Sequence, residues 1–404
     1  MGKCKICGHK TSHIIYFGKM PLANGLLKRP SDKEFFYDLS VVFCPNCFMV
    51  QLKETVKPKM MFHDQYQFIS STSKKMAAHF KKIANEIIKT VLAKQNPFIV
   101  EIGCNDGIML KHIAKKGINH LGIEPSGNVA SLARKNKMKV IEKFFNKKTA
   151  SQILKKYGQA DIIFGANVIT HIENINSVFE GAHLLLKEDG IFFFEEPYLL
   201  DIIRKTSFDQ IYDEHVYFFS GLSISKLAEK HKMQLVDMRY QNVHGGSMRY
   251  YLKTGKSNLV KKRVHQLLRI ERKFKLDKIN GYSNFQKKVD KICSDLRKIL
   301  KKIKKQGNQV VGYGATAKSA TLLNYAQISP ELINYISDIT PNKIGKFNPG
   351  THIPIRSHQV FVKDNPPYAI LFAWNHKNEI FKKEKRYRQR GGKFILYFPK
   401  VVIE

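Results

Sequence analysis

Long apolar runs are missing from this sequence: no stretch approaches the roughly 18 consecutive apolar residues of a membrane-spanning helix. The opening MGKCKICGHK has neither an apolar segment nor a small-residue cleavage site, so no secretory signal is expected and the chain is placed in the cytoplasm. Internal sequence repeats and low-complexity tails are absent too. Acidic residues are scarce, 33 Asp and Glu against 69 Lys and Arg, which leaves a formal charge of +36 over 404 residues. That charge invites nucleic-acid binding, yet the lysines are dispersed along the chain rather than gathered in one stripe. The expectation is no nucleic-acid and no membrane partner, with a basic surface that helps attract a diphosphate.

Cysteine is sparse as well, but four of the six stand as CKIC (Cys4, Cys7) and CPNC (Cys44, Cys47). Two C-x-x-C knuckles supply the four thiolates of a tetrahedral zinc, each pair closing a tight turn around the metal. Two disulfides are the alternative, but nothing points to an oxidising compartment. A structural zinc is expected, with no open position for catalysis.

Three regions separate: residues 1–70 with the knuckles, 71–257, and 258–404. The middle region begins with an amphipathic helix at STSKKMAAHFKKIANEIIKTVLAKQ. Short apolar strands then alternate with helices through FIVEIG, HLGIEPS, KVIEKFF, ADIIFGAN and GIFFFEEPY, the pattern of a doubly wound parallel sheet. Residues 258–306 read as a lysine-faced helical connector broken near Asn280-Gly281, and a second, smaller α/β unit follows from NQVVGYGATAKSATLLNY onward.

Two glycine turns open these α/β units. In FIVEIGCNDG, Glu101, Gly103 and Gly107 frame the first, and Asn105 stands where a dinucleotide fingerprint has its second glycine. An acid-x-Gly strand end resembles the S-adenosylmethionine loop of class I methyltransferases, where the backbone approaches a cofactor without phosphates. Glu124, followed by Pro125 in LGIEPS, can accept both ribose hydroxyls, and Asn167 ends the strand at GAN. The second turn holds Gly312, Gly314 and Ala317, close to G-x-G-x-x-A but offset by one, with Asp338 after the next strand. A nicotinamide-dependent oxidoreductase therefore stays open. Equally, Thr316, Lys318 and Ser319 at a helix N-terminus can bind a diphosphate. Asn365-Pro366-Pro367-Tyr368 spells the tetrapeptide of amino-methylating nucleic-acid enzymes, but it precedes a strand instead of following one and reads as a turn.

QIYDEHVYFFS (210–220) crowds Tyr212, Glu214 and His215 between aromatic residues. Buried ionisable groups are costly unless paired or used. A hydrogen-bonded core histidine is the plain alternative.

Taken together, the paired knuckles, MPLANGLL, YQFISSTS, VEIGCNDG, GIEPS, ANVITHIENI, EEPY, YDEHVYFFS, HGGSMR, GYGATAKSAT and LFAWNH resemble the three-domain nucleotide-sugar C-methyltransferases, essentially end to end. The resemblance implies S-adenosylmethionine and structural zinc as cofactors and a nucleotide-diphosphate keto-deoxysugar as substrate. It places Tyr66, His171, Tyr212, Glu214 and His215 at active-site positions, with either histidine as base. Asn24, Ser70 and Arg249 become candidate substrate contacts beside Thr316, Lys318 and Ser319, while His244 is read as backbone support for a glycine turn. Phe68 departs from the family's Y-x-Y-x-S-S pattern, which implies no hydroxyl contact there. A zinc-ribbon protein that binds or modifies RNA is the remaining alternative.

Overall fold

The computed structural model describes residues 2–62, 70–72, 74–255 and 260–404. Three sheets organise the chain. Near the N-terminus, Ser12–Pro21 pairs antiparallel with Phe36–Phe43, which pairs with Val50–Leu52. Ile15, Phe17, Leu39, Val41 and Phe43 put their apolar side chains into the core from this small sheet. Its fourth strand, Tyr217–Phe218, comes from a segment some 165 residues further along the chain, with Gln51 opposite Tyr217 and Val50 opposite Phe218.

The seven-stranded middle sheet runs, edge to edge, Met233–Gln241, Ser247–Thr254, Leu186–Pro197, Ala160–Ala166, Phe98–Ile102, Asn119–Ile123, Val140–Ile141. Ser247–Thr254 is antiparallel to both of its neighbours. Strand order reverses at Phe98–Ile102, so a crevice opens beyond its carboxyl end. The expected amphipathic helix is Lys74–Val91; Phe80, Ile83, Ala84, Ile87 and Val91 recur at helical spacing and pack on Ile99, Ile162 and Phe164.

The connector forms helices Lys262–Lys273 and Phe285–Lys305, split at the turn Ile279–Tyr282. A Cβ on Gly281 would lie 2.2 Å from the Lys275 carbonyl oxygen, so this turn requires glycine. The longer helix buries Val289, Ile292, Leu296, Leu300 and Ile303 and leaves its lysines outside. A third sheet is parallel except for its last strand, in the order Ile355–Ser357, Ile336–Asp338, Val310–Tyr313, Tyr368–Leu371, Lys393–Leu396, Val402–Ile403. Asn365, at φ 41°, ends helix His358–Asp364 and leads through the two prolines into Tyr368–Leu371, so the tetrapeptide is a turn. Among the described residues no helix is long and apolar enough to cross a membrane.

Candidate active site

The four knuckle sulfurs lie within 4.8 Å of one another. Zn–S bonds of about 2.3 Å in a tetrahedron set sulfurs about 3.8 Å apart. Cys4 Sγ to Cys47 Sγ is 3.6 Å and Cys7 Sγ to Cys44 Sγ is 3.5 Å, and no disulfide competes. Two matching turns build the site: the N–H of Gly8 donates to the Cys4 carbonyl and that of Phe48 to the Cys44 carbonyl, each at 2.9 Å, and both residues have positive φ. The N–H of Ile6 and Gln51 Nε2 donate to Cys4 Sγ, stabilising a thiolate. This donor set fits zinc and leaves no ligand position for a substrate.

A cavity of about 990 Å³ fills the crevice of the middle sheet. Gly103, Asn105, Glu124, Pro125 and Asn167, all cofactor candidates from the sequence, line it. Asn105 takes the left-handed conformation, and its N–H donates to Glu124 Oε2 at 3.0 Å while that of Ser126 donates to Oε1 at 2.9 Å. Both carboxylate oxygens are thereby fixed at the cavity wall, each keeping a lone pair for a hydroxyl. Burial pushes this carboxyl up, and the two N–H groups work against that. Gly103 is required by contact, since a Cβ there would lie 2.5 Å from Val168 Cγ2.

Two expected cofactor residues do not reach the cavity. Glu101 is buried, its Oε2 has no partner, and burial pushes its carboxyl well up, followed by the charges of Asp106 and Glu124. It lies inside the fold because its strand is buried along its whole length. Gly107 is required by its backbone instead, which takes φ 79°.

The QIYDEHVYFFS segment is buried from Phe208 to Ser220 except for Tyr212, which is partly so. His215 Nδ1 lies 2.7 Å from the Gln210 carbonyl oxygen. A carbonyl only accepts, so Nδ1 carries the proton and Nε2 of the neutral ring is bare. Tyr212 donates its hydroxyl to that nitrogen at 2.8 Å. The His171 ring stacks on His215 at 5.3 Å and 21°, and Phe62 stacks on His171 at 5.6 Å and 20°. His171 lines the cavity, and its Nε2 is sealed with no partner among the described residues. Burial pushes His171 down to about 4 and holds His215 well below its ordinary value, so both rings are neutral at neutral pH. Burial also pushes the Tyr212 phenol well up, which keeps it a donor.

All three sheets' units hold this segment. From the N-terminal unit, the Ala23 N–H donates to Asp213 Oδ1 at 2.9 Å and Asn24 Nδ2 to Glu214 Oε1 at 2.5 Å. Glu214 is fully enclosed; burial and then the Asp213 charge raise its carboxyl. From the C-terminal unit, the Thr321 hydroxyl donates to the Ile211 carbonyl at 2.8 Å. Asn24 thus meets the QIYDEHVYFFS segment directly. Ser70 lines the cavity and donates its N–H to Asn105 Oδ1 at 3.1 Å. Tyr66 and Phe68 lie outside the described residues.

Three expected substrate contacts are corrected. Arg249 is 2% exposed, with Nε and Nη2 on Glu195 Oε2 at 3.0 and 2.9 Å and Nη1 on Glu86. Its guanidinium neutralises buried Glu195, which also holds His79, so no face is left for a phosphate. Thr316 caps helix Ala317–Tyr325 by accepting the Ser319 N–H, and Ser319 is fully buried with its hydroxyl on the Thr316 carbonyl at 2.6 Å. Lys318 Nζ has no hydrogen-bond or ion-pair partner among the described residues and lies 4.7 Å from the Trp374 ring centroid. The dinucleotide pattern dissolves for related reasons. Asp338 Oδ2 and Oδ1 accept the N–H groups of Ala315 and Thr340, both at 2.7 Å. Gly312 and Gly314 make room for Phe372 and Ala373, with Cβ positions 2.4 and 2.9 Å from them.

His244 was missed. Read as support for a glycine turn, it instead lines the cavity with Nε2 sealed and without a partner among the described residues. Its position at φ 51° in a turn gives no periodic signal. Phe144 was missed too, although the loop after a third strand must border the crevice of the first two.

A doubly wound sheet whose crevice is lined by its glycine turn and by Glu124 is the architecture of an S-adenosylmethionine-dependent methyltransferase. Family models match along the whole chain: "Putative zinc binding domain" at 4–62, "Methyltransferase domain" at 74–237 and "C-methyltransferase C-terminal domain" at 242–399. C-methyltransferase NovU of Streptomyces niveus is 30% identical over 401 residues, covering 98% of this chain and 95% of that one. The chain belongs to this C-methyltransferase family. A ubiquinone biosynthesis O-methyltransferase of Colwellia psychrerythraea is 24% identical over 34% of this chain and 61% of its own. The solved structure of the plantazolicin methyltransferase BpumL with SAH covers 46% of this chain and 90% of its own, at 14% identity and a TM-score of 0.36.

Proposed function

We propose that this C-methyltransferase acts on a nucleotide-diphosphate keto-deoxysugar, at a carbon beside the keto group. One observation carries the reading: two neutral histidines are stacked beside the cofactor crevice, one with Nε2 bare and capped only by a phenol. Carbon is a poor nucleophile, so a proton α to a carbonyl must leave first, and a neutral imidazole is the group to take it. When bound, S-adenosylmethionine supplies the electrophilic methyl. His215 Nε2 accepts the α-proton, and the Tyr212 hydroxyl turns from that nitrogen to the developing enolate oxygen. His171, which lines the cavity and whose Nε2 is sealed without a partner among the described residues, is the second base candidate. Glu214, held by Asn24, orients the sugar through a hydroxyl or amine.

Lys318 and Glu124 give two tests. Lys318 of the GATAKS turn has no hydrogen-bond or ion-pair partner among the described residues, so Lys318→Ala should raise KM for the sugar nucleotide and leave S-adenosylmethionine affinity unchanged. Unaltered KM, or saturable NAD binding by calorimetry, would overturn the diphosphate assignment. Glu124→Ala should weaken S-adenosylmethionine binding by ~1–3 kcal/mol, the cost of leaving buried polar partners unsatisfied. Wild-type affinity in that variant would remove the ribose assignment.

A further inference from the structure

The turn Phe208–Gln210 stands between the C-terminal unit and His215, and its three residues are 0%, 0% and 2% exposed. Asp209 Oδ2 accepts the Trp374 indole N–H at 2.7 Å and the Tyr397 hydroxyl at 2.6 Å. Two residues on, the Ile211 carbonyl accepts the Thr321 hydroxyl. Trp374, Tyr397 and Thr321 all belong to the C-terminal unit. Between these two clamps lies the Gln210 carbonyl, the acceptor that keeps the proton on His215 Nδ1. Asp209 Oδ1 is sealed and has no partner among the described residues. A carboxyl buried with one oxygen doubly bonded and the other bare is a poor choice for packing alone. Burial pushes it up to about 6, against the pull of the Lys318 charge.

We propose that Asp209 is a positioning residue through which the C-terminal unit sets the tautomer of His215. The inference rests on His215 being the base. Should the Gln210 carbonyl turn away, the neutral ring can move its proton to Nε2, where it can accept neither the Tyr212 hydroxyl nor a proton from carbon. Docking of the C-terminal unit and readiness of the base are thereby one event, communicated through the Trp374 and Tyr397 hydrogen bonds.

The test is ¹⁵N NMR of histidine-labelled full-length protein, with the His215 signals assigned by their loss in His215→Asn. Wild type should show Nδ1–H with bare Nε2, and Asp209→Asn should show a substantial Nε2–H population. In that variant kcat and substrate α-hydrogen exchange should fall roughly 10–100-fold, the range for groups that orient a functional ring from outside. KM for the sugar nucleotide and S-adenosylmethionine affinity should stay within about twofold, because a ring whose proton has moved still binds. Tyr397→Phe removes one donor, leaves the carboxylate, and should give the same changes in smaller measure. An unchanged tautomer in soluble, folded Asp209→Asn overturns the inference, and so does a wild-type kcat. The base assignment fails separately: if His215→Asn keeps full exchange, His215 is not the base, while a shifted tautomer in Asp209→Asn still supports control by Asp209.

Discussion

His215→Asn should lose ~10²–10⁴-fold in kcat, the usual contribution of a general base, with both ligand affinities nearly intact. The variant should also fail to exchange the substrate's α-hydrogen with D₂O, which isolates proton removal from methyl transfer. Tyr212→Phe should lose less, since it removes a donor and leaves the base. The pH profile adds a sign. A base works unprotonated, and burial holds His215 well below the ordinary 6.5. Exchange in wild type should therefore stay level as pH falls through 6.5, where an exposed imidazole would already be failing. His171→Asn is the control. Should it abolish exchange while His215→Asn preserves it, the roles are reversed and His171 is the base. Normal turnover in both variants would make the segment structural.

Zinc removal should produce the other large effect, although the metal touches no substrate. Structural zinc contributes on the order of 10–16 kcal/mol in small zinc-dependent folds at neutral pH. Chelation, or Cys4→Ser with Cys44→Ser, should unfold the sheet of Ser12–Pro21, Phe36–Phe43 and Val50–Leu52. That sheet contains Tyr217–Phe218, two residues past His215. Gln51 joins the two: its Nε2 donates to Cys4 Sγ at 3.1 Å, and its backbone sits opposite Tyr217. The same unit supplies the Ala23 and Asn24 contacts to Asp213 and Glu214. Methyl transfer should then fall to background as zinc leaves, followed by elemental analysis and by amide exchange over residues 12–52. Full turnover in verifiably zinc-free protein would break the link between the metal and the catalytic segment.

Local chemistry was legible in the sequence because it is written in spacing. Two C-x-x-C pairs specify a metal wherever the chain brings them together, and the helix Lys74–Val91 follows from its apolar period. Glycines at 103 and 107 mark a turn whose φ values only glycine takes readily. Identity of residue type was less informative where partners are distant. Arg249 reads as a phosphate ligand until Glu195 and Glu86 are found on it, contributed by elements 54 and 163 residues away. Ser319 and Thr316 look like anion ligands until their hydroxyl groups are seen completing a helix cap. His244 carries no pattern, because a single turn residue has no period to betray which way it faces.

By itself the sequence determined the four-thiolate metal site, the two α/β units with their glycine turns, and the concentration of acid–base groups between 212 and 215. Each depends on residues close in the chain, whose geometry follows from backbone sterics and short-range spacing. Tertiary structure alone decided that His215 has a bare Nε2, that Tyr212 caps it, and that one strand of the zinc unit belongs to the catalytic segment. Protonation and tautomer are set by burial and by the nearest donor and acceptor; Tyr212 and Gln210 are within five residues of His215, but the segment that carries all three is held in place by contacts from separate folding units.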